Sequence, residues 1–149
     1  LGVKFRTSAD GFIEAVRFYK ATNSTGTHTG NLWTASGQLL GTATFTNDGA
    51  SGWQTITFAS PIAVTANTTY VASYHSPTGV YSITANFFTQ GVDRGPLRLL
   101  SSTESGGNGV FIYGGAASFP ASSWNASNYW VDVVFANGTS DTTAPTVAS

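Results

Sequence analysis

The sequence predicts an all-β protein: an antiparallel β-sandwich, jelly-roll-like, with long loops between Ser76 and Asn128. Three observations predict it. Short runs of alternating apolar and polar residues recur along the chain, the period of a strand with one buried face. Gly, Ser, Asn and Asp punctuate those runs, and these residues suit tight turns. Nowhere does a 3.6-residue apolar period last beyond two turns, and Leu97–Ser101 has room for one short helical turn at most. The pattern is densest from Thr27 to Phe58, which reads as an antiparallel meander of three strands onto which the remainder packs.

Taken in order, Gly2–Thr7 sets Val3 and Phe5 against Lys4 and Arg6, a half-buried strand with a basic outer face. After the Ala9-Asp10-Gly11 turn, Phe12–Lys20 is a strand with Val16 and Phe18 inward and Arg17 and Tyr19 opposite. Asn23–Thr29 is a polar loop. Asn31–Thr34 and Leu39–Phe45 form a hairpin around Ala35-Ser36-Gly37, and Asn47-Asp48-Gly49 makes the next turn. Trp53–Phe58 follows, ended by Pro61, which cannot donate to a ladder. Thr69–His75 places Tyr70, Ala72 and Tyr74 on one face, Val71 and Ser73 on the other.

Beyond Ser76 the periodicity weakens. Val80–Ile83 reads as a short strand, Gly91–Pro96 as a turn or loop, Ser105–Gly109 as a turn and Val110–Tyr113 as a strand. Gly114–Asn128 is a long loop, and a loop of that length in a compact domain is commonly functional. Tyr129–Phe135 is the last strand, with Tyr129, Val131, Val133 and Phe135 on one face and Trp130, Asp132 and Val134 on the other. The composition of the tail divides the chain into a module at 1–136 and a linker at 137–149.

Composition excludes several functions. Six Lys and Arg against seven Asp and Glu leave a net charge of -1, so no basic face exists to neutralise phosphates and no nucleic acid is expected as a partner. No apolar run approaches the roughly 18 residues of a membrane span, and no membrane insertion is expected. Cysteine is absent, which excludes disulfides, thiolate metal sites and cysteine nucleophiles. Leu1 opens directly on a strand-like run, as in a mature or excised piece of a larger protein. Thr, Ser, Asn, Gly and Ala replace the usual Lys and Glu on the polar surface, a composition common in bacterial surface proteins; the expected location is secreted or at the cell surface.

Five blocks carry a family resemblance: THTGNLWTASGQLLGTATF, GWQTITFASPIAVTANTTYVASYHSPTGVYS, GVDRGPLRLL, GGNGVFIYG and NYWVDVVF. In this order they resemble an uncharacterised bacterial surface-protein module, the domain of unknown function 4082 family, over Leu1 to Ala136. The resemblance implies neighbours of immunoglobulin-like or cadherin-like type, and DTTAPTVAS looks like the entry to a following immunoglobulin-like domain. Members of the family usually carry further residues before the GVKF block, which implies a first strand beyond this chain. The family brings no established catalytic residues.

Candidate binding residues come from the rings. A sugar presents a layer of C–H groups that packs on an indole or phenol, while amides, acids and His orient it. Trp124 lies in a polar loop between Ser123 and Asn125, Trp130 and Asp132 share a strand face away from the core, and Tyr113 follows a short strand. Trp33 alternates against Leu32 and Thr34, whereas Trp53 and Tyr70 are expected to pack. His28 and His75 stand at element ends, where sandwich loops converge. Two histidines are too few for a zinc site. A structural calcium stays open, with Asp10, Asp48, Asp93, Glu104 and Asp132 as its candidate ligands, although no DxDxDG loop occurs.

Hydrolysis finds little support. Glu14 and Glu104 are the two glutamates, Glu14 falls mid-strand, and no GxSxG elbow is present. The reading is therefore a noncatalytic extracellular module that recognises a glycan or cell-surface polysaccharide. The alternative is a structural or adhesive building block that exchanges strands with its neighbours.

Overall fold

The structure, a computed structural model, describes residues 1–45 and 51–138. Two antiparallel sheets pack face to face. The larger one joins β1 (Gly2–Thr7), β3 (His28–Thr34), β4 (Leu39–Phe45), β6 (Tyr70–His75), β7 (Val92–Arg94), β8 (Leu97–Leu99), β9 (Val110–Phe111) and β10 (Ser122–Ser123). Its main path runs β10-β9-β1-β6-β3-β4, and the β7–β8 hairpin attaches to β1. The smaller sheet has the order β11-β2-β5, from β2 (Gly11–Lys20), β5 (Gly52–Val64) and β11 (Val131–Asn137). The fold is an antiparallel β-sandwich, and the repeated crossing of the chain between its sheets is the jelly-roll-like feature.

The core forms where the two alternations meet. From β2 come Ile13, Val16 and Phe18, from β11 Val131 and Val133, and from β5 Ile56 and Phe58. Facing them are Val3, Phe5, Leu32, Tyr70, Ala72 and Tyr74. Phe18 is at the centre, stacked on Tyr74 at 4.6 Å and on His28 at 5.0 Å. Such rings contribute both buried area and a geometric preference of about 0.5–1.5 kcal/mol per pair.

Several expectations need correcting. The stretch from Thr27 to Phe58 is not one meander: β3 and β4 form the expected hairpin, but β5 pairs with β2 in the opposite sheet. The two runs still meet, because Gly41 lacks a Cβ where the Ile62 side chain arrives. Pro61 does not end the strand. It lies in the irregular stretch of β5 between Thr57 and Ile62, which pair with Ala15 and Ile13. At a bulge on a sheet edge, no ladder donor is required.

Val80–Ile83 forms no strand; its nearest regular pairing is the isolated bridge Thr84↔Asn128. The expected turn at Gly91–Pro96 is the inner part of the β7–β8 hairpin. A 3-10 turn forms at Phe87–Thr89, and an α-helical turn at α1 (Ser102–Ser105), just after the expected place. Its capping box was written in the sequence as Ser101-x-x-Glu104: the Ser101 hydroxyl accepts from the Glu104 amide, and the Glu104 carboxylate accepts from the Ser101 amide. The Asn47-Asp48-Gly49 turn, and the tail beyond residue 138, lie outside the described residues. Among those residues, no helix is long and apolar enough to cross a membrane.

Candidate functional site

Between β6 and β11 lie the two most exposed rings, Tyr113 and Trp124. Trp124 opens a tight turn whose central residues, Asn125 and Ala126, both take positive φ, 51° and 46°. Such a turn is strained for Ala and has to be held from outside. The Ser127 hydroxyl donates to the Trp124 carbonyl at 2.8 Å. The amides of Asn86 and Phe88 donate to the carbonyls of Asn125 and Ala126, each at 2.8 Å. Trp124 is thereby displayed on an anchored turn, with 54% of its surface in solvent.

Opposite it stands Tyr113, the most exposed ring of all at 72%. Its hydroxyl lies 3.1 Å from that of Tyr81, and its ring leans on Phe111 at 5.3 Å. Tyr81, Ile83, Phe111, Tyr113, Trp124 and Tyr129 enclose a groove of about 340 Å³. Tyr81 and Tyr113 also border a second hollow of about 320 Å³, which continues past Ile112 to His75, Ser76 and Thr78. His75 Nε2 donates to the Gly114 carbonyl at 3.1 Å. The hydrogen bond with Tyr113, which holds the Tyr81 proton, and then burial push the Tyr81 phenol up to about 12. Burial likewise raises the Tyr129 phenol. This groove offers neutral rings and hydroxyls.

The structure divides the sequence-predicted residues. Trp124 and Tyr113 border the groove, Tyr113 and His75 border the hollow, and the Tyr81–Tyr113 pair stands between the two. Trp130 and Asp132 lie behind the groove, on the outer face of the smaller sheet. The dividing wall is the segment 81–84, whose alternate residues face opposite ways: Tyr81 and Ile83 line the groove, while Ser82 borders the Trp130 side and the Thr84 hydroxyl accepts from the Trp130 indole at 3.0 Å.

Two expectations about rings and one about a histidine are overturned. Trp33 is 7% exposed and donates its indole N–H to the Ser73 hydroxyl at 2.8 Å. It does point away from the main core, but Phe119 and Val110 cover that face and seal it into a second cluster. His28 is wholly buried as the first residue of β3, with Nε2 2.7 Å from the Ser24 hydroxyl and its ring on Phe18. A histidine so enclosed cannot orient a ligand at the surface. Trp53, expected to pack, is 44% exposed. Its own alternation against Ile56 and Phe58 was the available signal.

The carboxylates do not converge. Asp10 accepts from the Ala66 amide, Asp93 and Glu104 both bind Arg98, and Asp132 accepts from the Val133 amide. Among the described residues no three of His, Asp and Glu come together as a metal site would require; Asp48 lies outside them.

These features define a class: a β-sandwich module whose exposed aromatics are mounted on an anchored turn and on one sheet face. The chain belongs to the family described as Domain of unknown function (DUF4082), whose model matches residues 1–131. The match stops at the first residue of β11, although that strand continues to Asn137. No curated protein matches the chain.

Proposed function

We propose that this module is a noncatalytic carbohydrate-binding domain that works outside the cell, with its principal site in the Trp124–Tyr113–His75 groove. One observation carries the reading: the two most exposed large rings, Tyr113 and Trp124, border the same groove. Exposed large apolar side chains that cluster call for a ligand, whereas scattered ones do not. A pyranose stacked on Trp124 would meet the Tyr113 hydroxyl beside it, and an adjoining sugar unit would reach Ser76, Thr78 and His75. The neutral phenols and the chain's low charge suit an uncharged glycan, recognised by stacking and oriented hydrogen bonds with little electrostatic steering.

A glycan-array screen of the monomeric domain, repeated with Trp124→Ala and with calcium chelated, tests this. Binding is expected to be lost in Trp124→Ala and retained under chelation. Loss on chelation alone would replace the aromatic site by a metal-built one, and an array with no bound glycan would refute the reading.

A second reading rests on β4. This strand pairs with β3, and its other edge joins no ladder among the described residues. An open edge can accept a strand from a neighbour, which suits an adhesive or structural block. A mass measured by light scattering that stays monomeric up to millimolar concentration would remove that reading.

A further inference from the structure

The outer face of the smaller sheet carries a second arrangement of a different chemistry. Cross-strand register places Asp132, Arg17 and Thr55 in one row and Tyr19 beside Trp53 in the next. Trp130 extends the aromatic row, since its carbonyl accepts from the Tyr19 amide at 2.8 Å. The rings brace one another edge to face: Tyr19 with Trp53 at 5.8 Å, Trp53 with Trp130 at 6.4 Å, and Trp130 with Phe87 at 5.3 Å.

Two adjoining cavities share both tryptophans. One, of about 210 Å³, adds Arg17, Arg94, Asn128 and Asp132, and the other, of about 280 Å³, adds Tyr19 and Ser82. Together they reach the roughly 300–1,000 Å³ typical of small-molecule sites.

The charges are the distinguishing feature. Arg98 is held by two carboxylates, at 2.8 and 2.9 Å. Arg17 and Arg94 line the cavity together with Asp132, whose carboxylate attracts both from beyond ion-pair range, and Arg17 rests over the Trp53 ring at 4.9 Å. A guanidinium laid on an indole is fixed in position yet keeps its N–H fork for a ligand. The backbone also points to a site: Trp130 takes φ 56°, a left-handed conformation costly for so bulky a residue. It is held there by the Asn128 side chain, whose Oδ1 accepts from the Trp130 amide at 2.7 Å, and by the indole bond to Thr84. Strain of this kind, held by its surroundings, concentrates at binding sites.

We propose that this face binds a carboxylate-bearing sugar, a uronic acid unit of an acidic polysaccharide, with its ring on Trp53 and Trp130 and its carboxylate on Arg17 and Arg94. Asp132 and Asn128 then accept from the sugar hydroxyls. That the ligand is a saccharide rests on the carbohydrate reading above; its carboxylate is argued from two guanidiniums against the single carboxylate of Asp132.

The test is an NMR and calorimetric titration of the intact chain with a short oligogalacturonate and with the neutral oligogalactoside of the same length. The acidic oligomer is expected to bind at least tenfold tighter and to shift the indole N–H signals of Trp53 and Trp130. Arg17→Gln combined with Arg94→Gln is expected to weaken it at least tenfold, while Trp124→Ala leaves it unchanged. Equal affinity for the neutral oligomer, shifts confined to Trp124, or no binding of the uronate would each overturn the proposal. Because the shifts are read on the unmodified protein, the outcome stands even if a variant misfolds. Uronate binding together with an empty neutral-glycan screen would sink the principal-groove reading alone.

Discussion

The side-chain amide of Asn108 stands in for a piece of β-strand against Lys4. Its Oδ1 accepts from the Lys4 amide at 2.9 Å, and its Nδ2 donates to the Lys4 carbonyl at 3.0 Å and to the Leu100 carbonyl at 2.9 Å. The outer edge of β1 is shared by two short partners, β8 opposite Phe5–Thr7 and β9 opposite Gly2. Lys4 falls in the gap between them, where its amide would otherwise have no ladder partner. A fully buried Asn fills that gap and ties the loop region to the central sheet.

Replacing Asn108 by Ala should therefore cost about 2–6 kcal/mol, because it leaves the Lys4 amide and the Leu100 carbonyl unpaired at about 1–3 kcal/mol each. The Lys4 carbonyl keeps the Leu100 amide. Urea unfolding would show this as a lower midpoint at unchanged m-value. A loss below about 0.5 kcal/mol, the scale of an ordinary surface change, would mean that water or a shifted β9 fills the gap as well.

Glu104 should make stability depend on acid pH. The Ser101 amide and hydroxyl, and then the Arg98 guanidinium, hold its carboxyl at about 2, against a usual value of 4.5. A carboxylate with a depressed folded pKa stabilises fully above its unfolded pKa, and that contribution fades as the pH falls from about 4.5 to about 2. The melting temperature of Glu104→Gln should lie below that of the wild type at pH 7, and the gap should close across this window. A gap that did not change with pH would show the cap to be worth no more as a charged group than as a neutral one.

The phenol pair in the principal groove makes a spectroscopic prediction. The hydrogen bond with Tyr113 is the largest cause holding Tyr81 up at about 12. In Tyr113→Phe the Tyr81 phenol should titrate at lower pH, visible as an earlier rise in ultraviolet tyrosinate absorbance. If the curve for Tyr81 stays in place, the two hydroxyls are not paired in solution. Tyr81 remains uncharged until the pH approaches 12, so its ionisation should not affect ligand binding in the groove at neutral pH.

Much of this molecule was legible in the order of its residues. Val16 and Phe18 face inward with Arg17 and Tyr19 outward, and Tyr70, Ala72 and Tyr74 share the core face of β6, because a strand's period of two is a local property. Trp124 could be picked out as exposed since it lies in a polar loop, and Tyr113 since it ends a short strand before Gly114-Gly115. The capping box at Ser101 was equally local and was there to be read. The double role of Trp33 was not: alternation turned it away from the main core, but whether that face meets water depended on Phe119, 86 positions further along in sequence.

What only the packed structure decided is which strand joins which sheet, and hence which rings become neighbours. The third run of the Thr27–Phe58 stretch had as good a pattern for following β4 as for crossing to β2; the choice came from thirteen residues of β5 laid along β2. The separation of Trp124 from Trp130 likewise arose when the segment 81–84 settled between them. Hydrogen-bonded pairing and burial on the far side of a sheet are contacts between residues distant in the chain. Alternation fixes which way each side chain points from its own strand, but not what will be found there.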